Sequence, residues 1–250
     1  MTADDWERVI GEAAGLGARH VTFLGGEPTM YGGLGRLVGV ALALGLQVEV
    51  YSNLVRVPAA LWEVFGLPGV SLAVSWYTDD RAEHAVITGG RDTWRQTRAN
   101  VAEAVRRGIP VRGGMVDGIV PGQRADDGER ELRALGVGKV GRDRLREFGR
   151  GTVPDVSQAC GHCGHGRAAV LSDGAVTPCP LTRWLAAGNV RHAGLGAVLG
   201  ELPAVAAGLP GRGVLACDPD DDDDGCAPNC LPDSYCDPLC NPGVCQPRIK

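Results

Sequence analysis

The sequence predicts an α/β protein in which a parallel sheet, open or curled into a barrel, precedes a small cysteine-rich, loop-rich unit built around metal. Two observations predict it. Over roughly the first 150 residues, helix-like and strand-like hydrophobic patterns alternate, and such alternation builds βα units around a parallel sheet. Eight of the nine cysteines then fall in two late groups. Thiolates so densely gathered suit iron–sulfur clusters or zinc and can hold a segment too poor in apolar residues to fold on its own core. At 250 residues, with 44% hydrophobic and 22% charged residues, the chain suffices for one proper core and a smaller appendage. Residues 1–150 are assigned to the first domain and 151–250 to the second.

The elements follow in order. Thr2 and Asp5 resemble a capping box, and Trp6, Val9, Ile10, Ala13 and Ala14 then recur at helical spacing. His20 to Leu24 reads as a short apolar strand, Leu34 to Leu44 as a helix and Gln47 to Tyr51 as a second strand. Pro58 to Phe65 is expected to be helical, Val70 to Trp76 a third strand, and Thr93 to Arg107 a longer helix. Ile109 to Met115 makes a fourth strand, Asp126 to Leu135 a helix and Val137 to Val140 a short fifth strand.

The net charge is −5, part of it from the run Asp218 to Asp224, broken only by Pro219 and read as a solvated linker. That balance gives no basic face for nucleic acid. No apolar run approaches the ~20 residues of a membrane span. The acidic opening Met1-Thr-Ala-Asp-Asp-Trp6 is unlike a signal peptide, so a soluble, cytoplasmic protein is expected. That compartment, with the odd cysteine count, argues for metal over disulfides.

In parallel α/β folds chemistry gathers at the C-terminal ends of strands. The first strand ends in Gly25-Gly26-Glu27-Pro28-Thr29, where glycines permit a sharp turn and close approach to a ligand, and Glu27 offers a carboxylate fixed by proline. Ser52 and Asn53 follow the next strand. His20 and His84 read as surface or packing residues. The late cysteines run Cys160-x2-Cys163, then Gly174-x4-Cys179, then Cys226-x3-Cys230-x5-Cys236-x3-Cys240, with Cys245 beyond.

Gly25-Gly26-Glu27-Pro28 resembles the motif after the second barrel strand of radical S-adenosylmethionine (radical SAM) enzymes, and the cysteine tail resembles their SPASM extension, with one extra residue between Cys226 and Cys230. Phe148-Gly149-Arg150-Gly151 resembles the exit from barrel to extension. The resemblance implies a partial (β/α)6 TIM-like radical SAM barrel with a C-terminal SPASM domain. It implies that Glu27 accepts hydrogen bonds from the amino group of S-adenosylmethionine, with Gly25, Gly26 and Pro28 shaping the turn and Ser52 and Asn53 as further contacts. By the same resemblance, Cys160, Cys163, Cys179 and Cys240 hold one auxiliary [4Fe-4S] cluster and Cys226, Cys230, Cys236 and Cys245 another, leaving Cys217 over. His162 and His165 are alternative ligands.

One departure stands out: the C-x3-C-x2-C triplet that holds the family's SAM cluster occurs nowhere in the chain. It reads as an absent N-terminal strand and loop, which would leave His20 to Leu24 with an unpaired edge. The implied activity is radical-based maturation of a peptide or protein: reductive cleavage of S-adenosylmethionine and hydrogen-atom abstraction, with electrons from a ferredoxin or flavodoxin. A third [4Fe-4S] cluster is implied only if the triplet lies upstream. Two other readings remain, an inert iron–sulfur electron carrier or peptide-binding partner, and a zinc-stabilised binding module.

Overall fold

The computed structural model describes residues 1–145, 156–159 and 163–209. Contacts divide the chain into two units, Thr2–Leu145 and Met1 with Arg146–Lys250. In the first, β1 (His20–Phe23), β2 (Gln47–Ser52), β3 (Val70–Trp76), β4 (Val111–Asp117) and β5 (Lys139–Arg144) form a parallel sheet in the order β1-β2-β3-β4-β5. Around them run α1 (Ala3–Gly15), α2 (Leu34–Ala43), α3 (Ala59–Phe65), α4 (Arg81–Ile87), α5 (Trp94–Arg106) and α6 (Ala125–Ala134). Every crossover steps one strand in the same direction, and because such crossovers are right-handed the connecting helices share one face of the sheet. This is the α/β architecture of a partial TIM-like barrel.

Strand alternation sorts the side chains. In β2, Val48 and Val50 are fully buried in a core shared with Leu37, Val38 and Ala41 of α2 and with Leu61 and Phe65 of α3. Burying each such side chain contributes about 1.5–3 kcal/mol. Glu49 and Tyr51 take the opposite face. On β4, a Cβ on Gly113 would meet Leu132 of α6 at 2.6 Å, so Gly113 faces the helices and Gly114 faces away from them. Val74, Trp76, Met115 and Val140 complete the helix-side core.

The capping box at the start of α1 forms as expected. The Asp5 N–H donates to Thr2 Oγ1 at 3.1 Å, and the Thr2 N–H donates to Asp5 Oδ2 at 2.7 Å. Differences lie at boundaries. β4 begins at Val111 rather than Ile109, since Pro110 has no N–H to give, although its carbonyl accepts from Leu72 N at 2.8 Å. β5 begins two residues later than expected and continues through Arg142, Asp143 and Arg144, where pairing with β4 overrides a charged sequence. α4 was not expected. It is about two turns capped by Asp80, whose side chain accepts from Glu83 N at 2.7 Å, and its one buried residue is His84.

In the second unit, β6 (Ala169–Val170), β7 (Ala175–Thr177) and β8 (Gly188–Asn189) make a small antiparallel sheet, followed by α7 (Leu195–Ala206). α7 also went unread in the sequence, although its buried Leu195, Val198 and Leu202 recur at helical spacing. Gly174 turns β6 into β7 with φ +89, and a Cβ there would meet Asn189 Oδ1 at 2.6 Å. A separate small core gathers Ala159, Cys163 and Leu209 with Cys179, Trp184 and Leu185. Among the described residues, no helix is long and apolar enough to cross a membrane.

Candidate functional site

The turn after β1 is built for Glu27. Gly25 adopts φ +107, which a side chain rarely tolerates, although a Cβ on either Gly25 or Gly26 would find open space. Conformation rather than crowding therefore calls for glycine at position 25. Pro28 opens a single 3₁₀ turn, Pro28–Met30, for which Glu27 is the N-cap.

Four donors converge on the Glu27 carboxylate. Oε1 accepts from Thr29 N at 3.0 Å, Thr29 Oγ1 at 2.8 Å and Ser52 Oγ at 2.7 Å. Oε2 accepts from Asn53 N at 2.9 Å. Thr29 and Ser52 are buried, so the carboxylate is held from beneath with Oε1 fully used. Oε2, with one donor, keeps acceptor capacity that fits the ammonium of an amino-acid-like ligand. The structure thus brings Gly25, Gly26, Glu27, Pro28, Ser52 and Asn53 together at adjoining ends of β1 and β2. Ser52 and the Asn53 main chain contact Glu27 itself.

Sequence reasoning missed the support behind this cradle. Leu54 is fully buried with φ 49, a strained conformation for leucine. α5 holds it there: Thr97 Oγ1 donates to Asn53 O at 3.0 Å, and Asn100 Nδ2 donates to Leu54 O at 2.7 Å. Thr97 and Asn100, three apart on a helix of ordinary composition, give no signal without the strand end they meet. The hydroxyl of Thr29, directly after the motif, was the more legible omission.

At the ends of β4 and β5, a cavity of about 280 Å³ is lined by residues including Asp117, Gln123, Asp126 and Arg142. Arg142 is bound by Asp117 Oδ2 at 2.7 Å and Asp126 Oδ1 at 2.6 Å. Gln123 closes the loop by donating to Tyr77 O at 3.1 Å and Val116 O at 2.8 Å.

Of the expected thiolates, Cys163 and Cys179 are described, and they lie within hydrogen-bond reach of each other. Gly164 N donates to Pro178 O at 3.0 Å, tying the two turns together. Leu181 N donates to Cys179 Sγ at 3.2 Å. The hydrogen bond from Cys163, aided by donors at Leu181 and Thr182, pulls the Cys179 thiol down to about 6 against the opposing effect of burial. Two adjacent sulfurs, one an easily formed thiolate, fit soft-metal ligation. Cys160, Cys226, Cys230, Cys236, Cys240 and Cys245, with Cys217 and His162, lie outside the described residues. Among those described, no group of three metal-binding side chains forms. His165 and His20 are exposed. His84 is buried at 2% exposure, its Nε2 3.1 Å from Thr93 Oγ1, and serves packing.

The family model described as the radical SAM superfamily matches residues 1–135. The chain is 36% identical over 113 residues to the PqqA peptide cyclase of Methylobacterium sp. (strain 4-46), covering 42% of this chain and 28% of that protein. It is 34% identical over 118 residues to the PqqA peptide cyclase of Xanthomonas campestris pv. campestris (strain B100), covering 44% and 30%. The match thus spans less than a third of these relatives. Among solved structures, SuiB from Streptococcus suis superposes with a TM-score of 0.67 at 16% identity, over 82% of this chain and 61% of that one. A SuiB structure bound to precursor peptide SuiA gives a TM-score of 0.65 at 15% identity, over 80% and 58%. Native anSMEcpe with bound AdoMet gives 0.60 at 12%, over 79% and 71%. At such identities these likenesses establish the fold.

Proposed function

The chain belongs to the radical SAM superfamily, and from that premise we propose that it takes part in the radical-based modification of a peptide or protein substrate. The observation that carries the reading is the Glu27 cradle: a carboxylate fixed by four donors with one acceptor position left on Oε2. In this reading Oε2 receives the amino group of S-adenosylmethionine, Gly25 and Pro28 keep the turn in place, and Ser52 and Asn53 hold the carboxylate against its pull. When bound beside a reduced iron–sulfur cluster, S-adenosylmethionine supplies a carbon radical able to abstract a hydrogen atom.

The domain assignment, 1–150 and 151–250, belongs to the same proposal. Cys163 and Cys179 would share one auxiliary [4Fe-4S] cluster with Cys160 and Cys240, and Cys226, Cys230, Cys236 and Cys245 would hold a second. These clusters would move electrons to or from the substrate, drawing on a ferredoxin or flavodoxin. The peptide substrate is supported by the names of the PqqA peptide cyclases and by the precursor peptide bound to SuiB.

Anaerobic reconstitution tests this. Iron and labile sulfide should reach about eight atoms of each per chain for two auxiliary clusters, with about four more if upstream thiolates complete a third. S-adenosylmethionine should bind the reconstituted protein and lose affinity in Glu27→Gln. Zinc in place of iron, or binding indifferent to Glu27, would overturn the reading.

A further inference from the structure

The face of the parallel sheet turned away from the helices carries an assembly that the proposed function leaves unused. Tyr51, on β2, reaches across β3 to β4. A Cβ built on Gly114 would fall inside the van der Waals envelope of the Tyr51 hydroxyl, and would stand 2.9 Å from its Cζ. Gly114 has no positive φ, so glycine there makes room and does nothing for the backbone. Beneath the ring, β3 presents Ala73 and Ser75, which pair with Tyr51 and Gly114 respectively. Both are small, and the Ser75 hydroxyl is hydrogen-bonded to the phenol.

Arg112 holds the ring in place. Its guanidinium lies 5.3 Å from the Tyr51 centroid, within the range of a cation–π contact. It is itself fixed by a two-pronged bond to Glu49, Nε to Oε1 at 2.7 Å and Nη2 to Oε2 at 2.8 Å. Glu49 and Tyr51 are on β2, Ser75 on β3, Arg112 and Gly114 on β4. Tyr51 and Arg112 both stand level with Ala73, with Glu49 below them and Ser75 and Gly114 above, so side chains on one face join three strands.

Tyr51 directly precedes Ser52 at the end of β2. Ser52 Oγ and Asn53 N supply two of the four hydrogen bonds on Glu27. We propose that Tyr51 is a positioning residue for the Glu27 cradle: clamped by Arg112, Ser75 and the gap at Gly114, it fixes the end of β2 so that Ser52 and Asn53 aim the carboxylate. The inference rests on Glu27 being the ligand-holding group and adds the device that orients it. Tyr51 acts through Ser52 and Asn53.

The test uses hydrogen exchange in the full chain, which needs no cofactor. Gly114→Ala, on a strand that does not touch Glu27, should push the phenol aside and speed exchange of the Asn53 and Thr29 amides about tenfold. The Val48 and Leu72 amides, bonded to Gly69 O and Pro110 O lower in the same sheet, should stay within about twofold. Adding Tyr51→Phe removes the worst clash, leaving the 2.9 Å approach to Cζ, and should bring Asn53 and Thr29 part of the way back. If Gly114→Ala does not fold, Tyr51→Leu should give the same local acceleration. Unchanged Asn53 and Thr29 amides, or an equal rise at all four positions, would overturn the proposal.

Binding of S-adenosylmethionine to the reconstituted protein then separates this inference from the one beneath it. Gly114→Ala should weaken binding about tenfold, and adding it to Glu27→Gln should cost nothing further, since both act on one group. Weakening by Glu27→Gln without weakening by Gly114→Ala would defeat the Tyr51 proposal. Local exchange that responds while neither variant changes binding would leave the clamp standing and remove the cofactor reading.

Discussion

Ser52 donates its hydroxyl proton to Glu27 Oε1 at 2.7 Å, joining the ends of two adjacent parallel strands, while its own oxygen accepts from Leu54 N at 2.9 Å. A buried hydroxyl thus links the carboxylate of one strand end to the strained turn of the next. The placement of the carboxylate and the turn after β2 depend on the same atom.

Glu27→Gln keeps the shape but replaces the charge and offers donors to neighbours that are donors themselves. Loss of a hydrogen bond to a charged partner is worth about 1.5–3 kcal/mol, so S-adenosylmethionine should bind roughly ten- to a hundredfold more weakly. Anaerobic calorimetric titration measures it. Ser52→Ala should show a smaller, few-fold loss.

Replacing Cys163 or Cys179 by serine should lower iron and sulfide by about four atoms each per chain and leave the remaining cluster's visible absorption. Elemental analysis after anaerobic reconstitution decides it. Iron content unchanged in both variants would remove these two sulfurs from the ligand set.

Burial holds the His84 imidazole below its ordinary value of 6.5, against a smaller upward pull from Asp92. In the window between that lowered value and 6.5 the unfolded chain binds the extra proton and the folded chain does not, so stability rises with pH there. The contribution is complete above about 6.5 and is lost as pH falls through the window. Urea melts across this range should show the slope, and His84→Gln should flatten it.

Gly174→Ala asks a residue with φ +89 to carry a Cβ 2.6 Å from Asn189 Oδ1. A cost of about 1–3 kcal/mol is expected, seen as a lower thermal midpoint of the reconstituted protein. Gly26→Ala, with open space and no positive φ, should change stability by no more than about 0.5 kcal/mol.

The βα alternation was legible because Val48 and Val50 alternate with polar neighbours, Leu72 and Val74 sit in a largely apolar run, and α1 and α2 repeat at helical spacing. Gly25 to Pro28 were legible because glycine and proline announce a turn. α4 escaped because it is too short to show a period, and the far half of β5 because Arg142, Asp143 and Arg144 are strand only by virtue of the neighbour they pair with. Thr97 and Asn100 matter through bonds to main-chain oxygens more than forty residues away in sequence. Pairing over such distances leaves no local mark.

The sequential strand order β1-β2-β3-β4-β5 has a bearing on how the chain comes to be folded. Each strand docks on the one made just before it, so the sheet can grow by accretion as the polypeptide leaves the ribosome, without waiting for a distant partner. A lesion early in the order, at β2 for instance, should therefore hinder everything synthesised after it, while one at β5 should leave the earlier layers able to assemble.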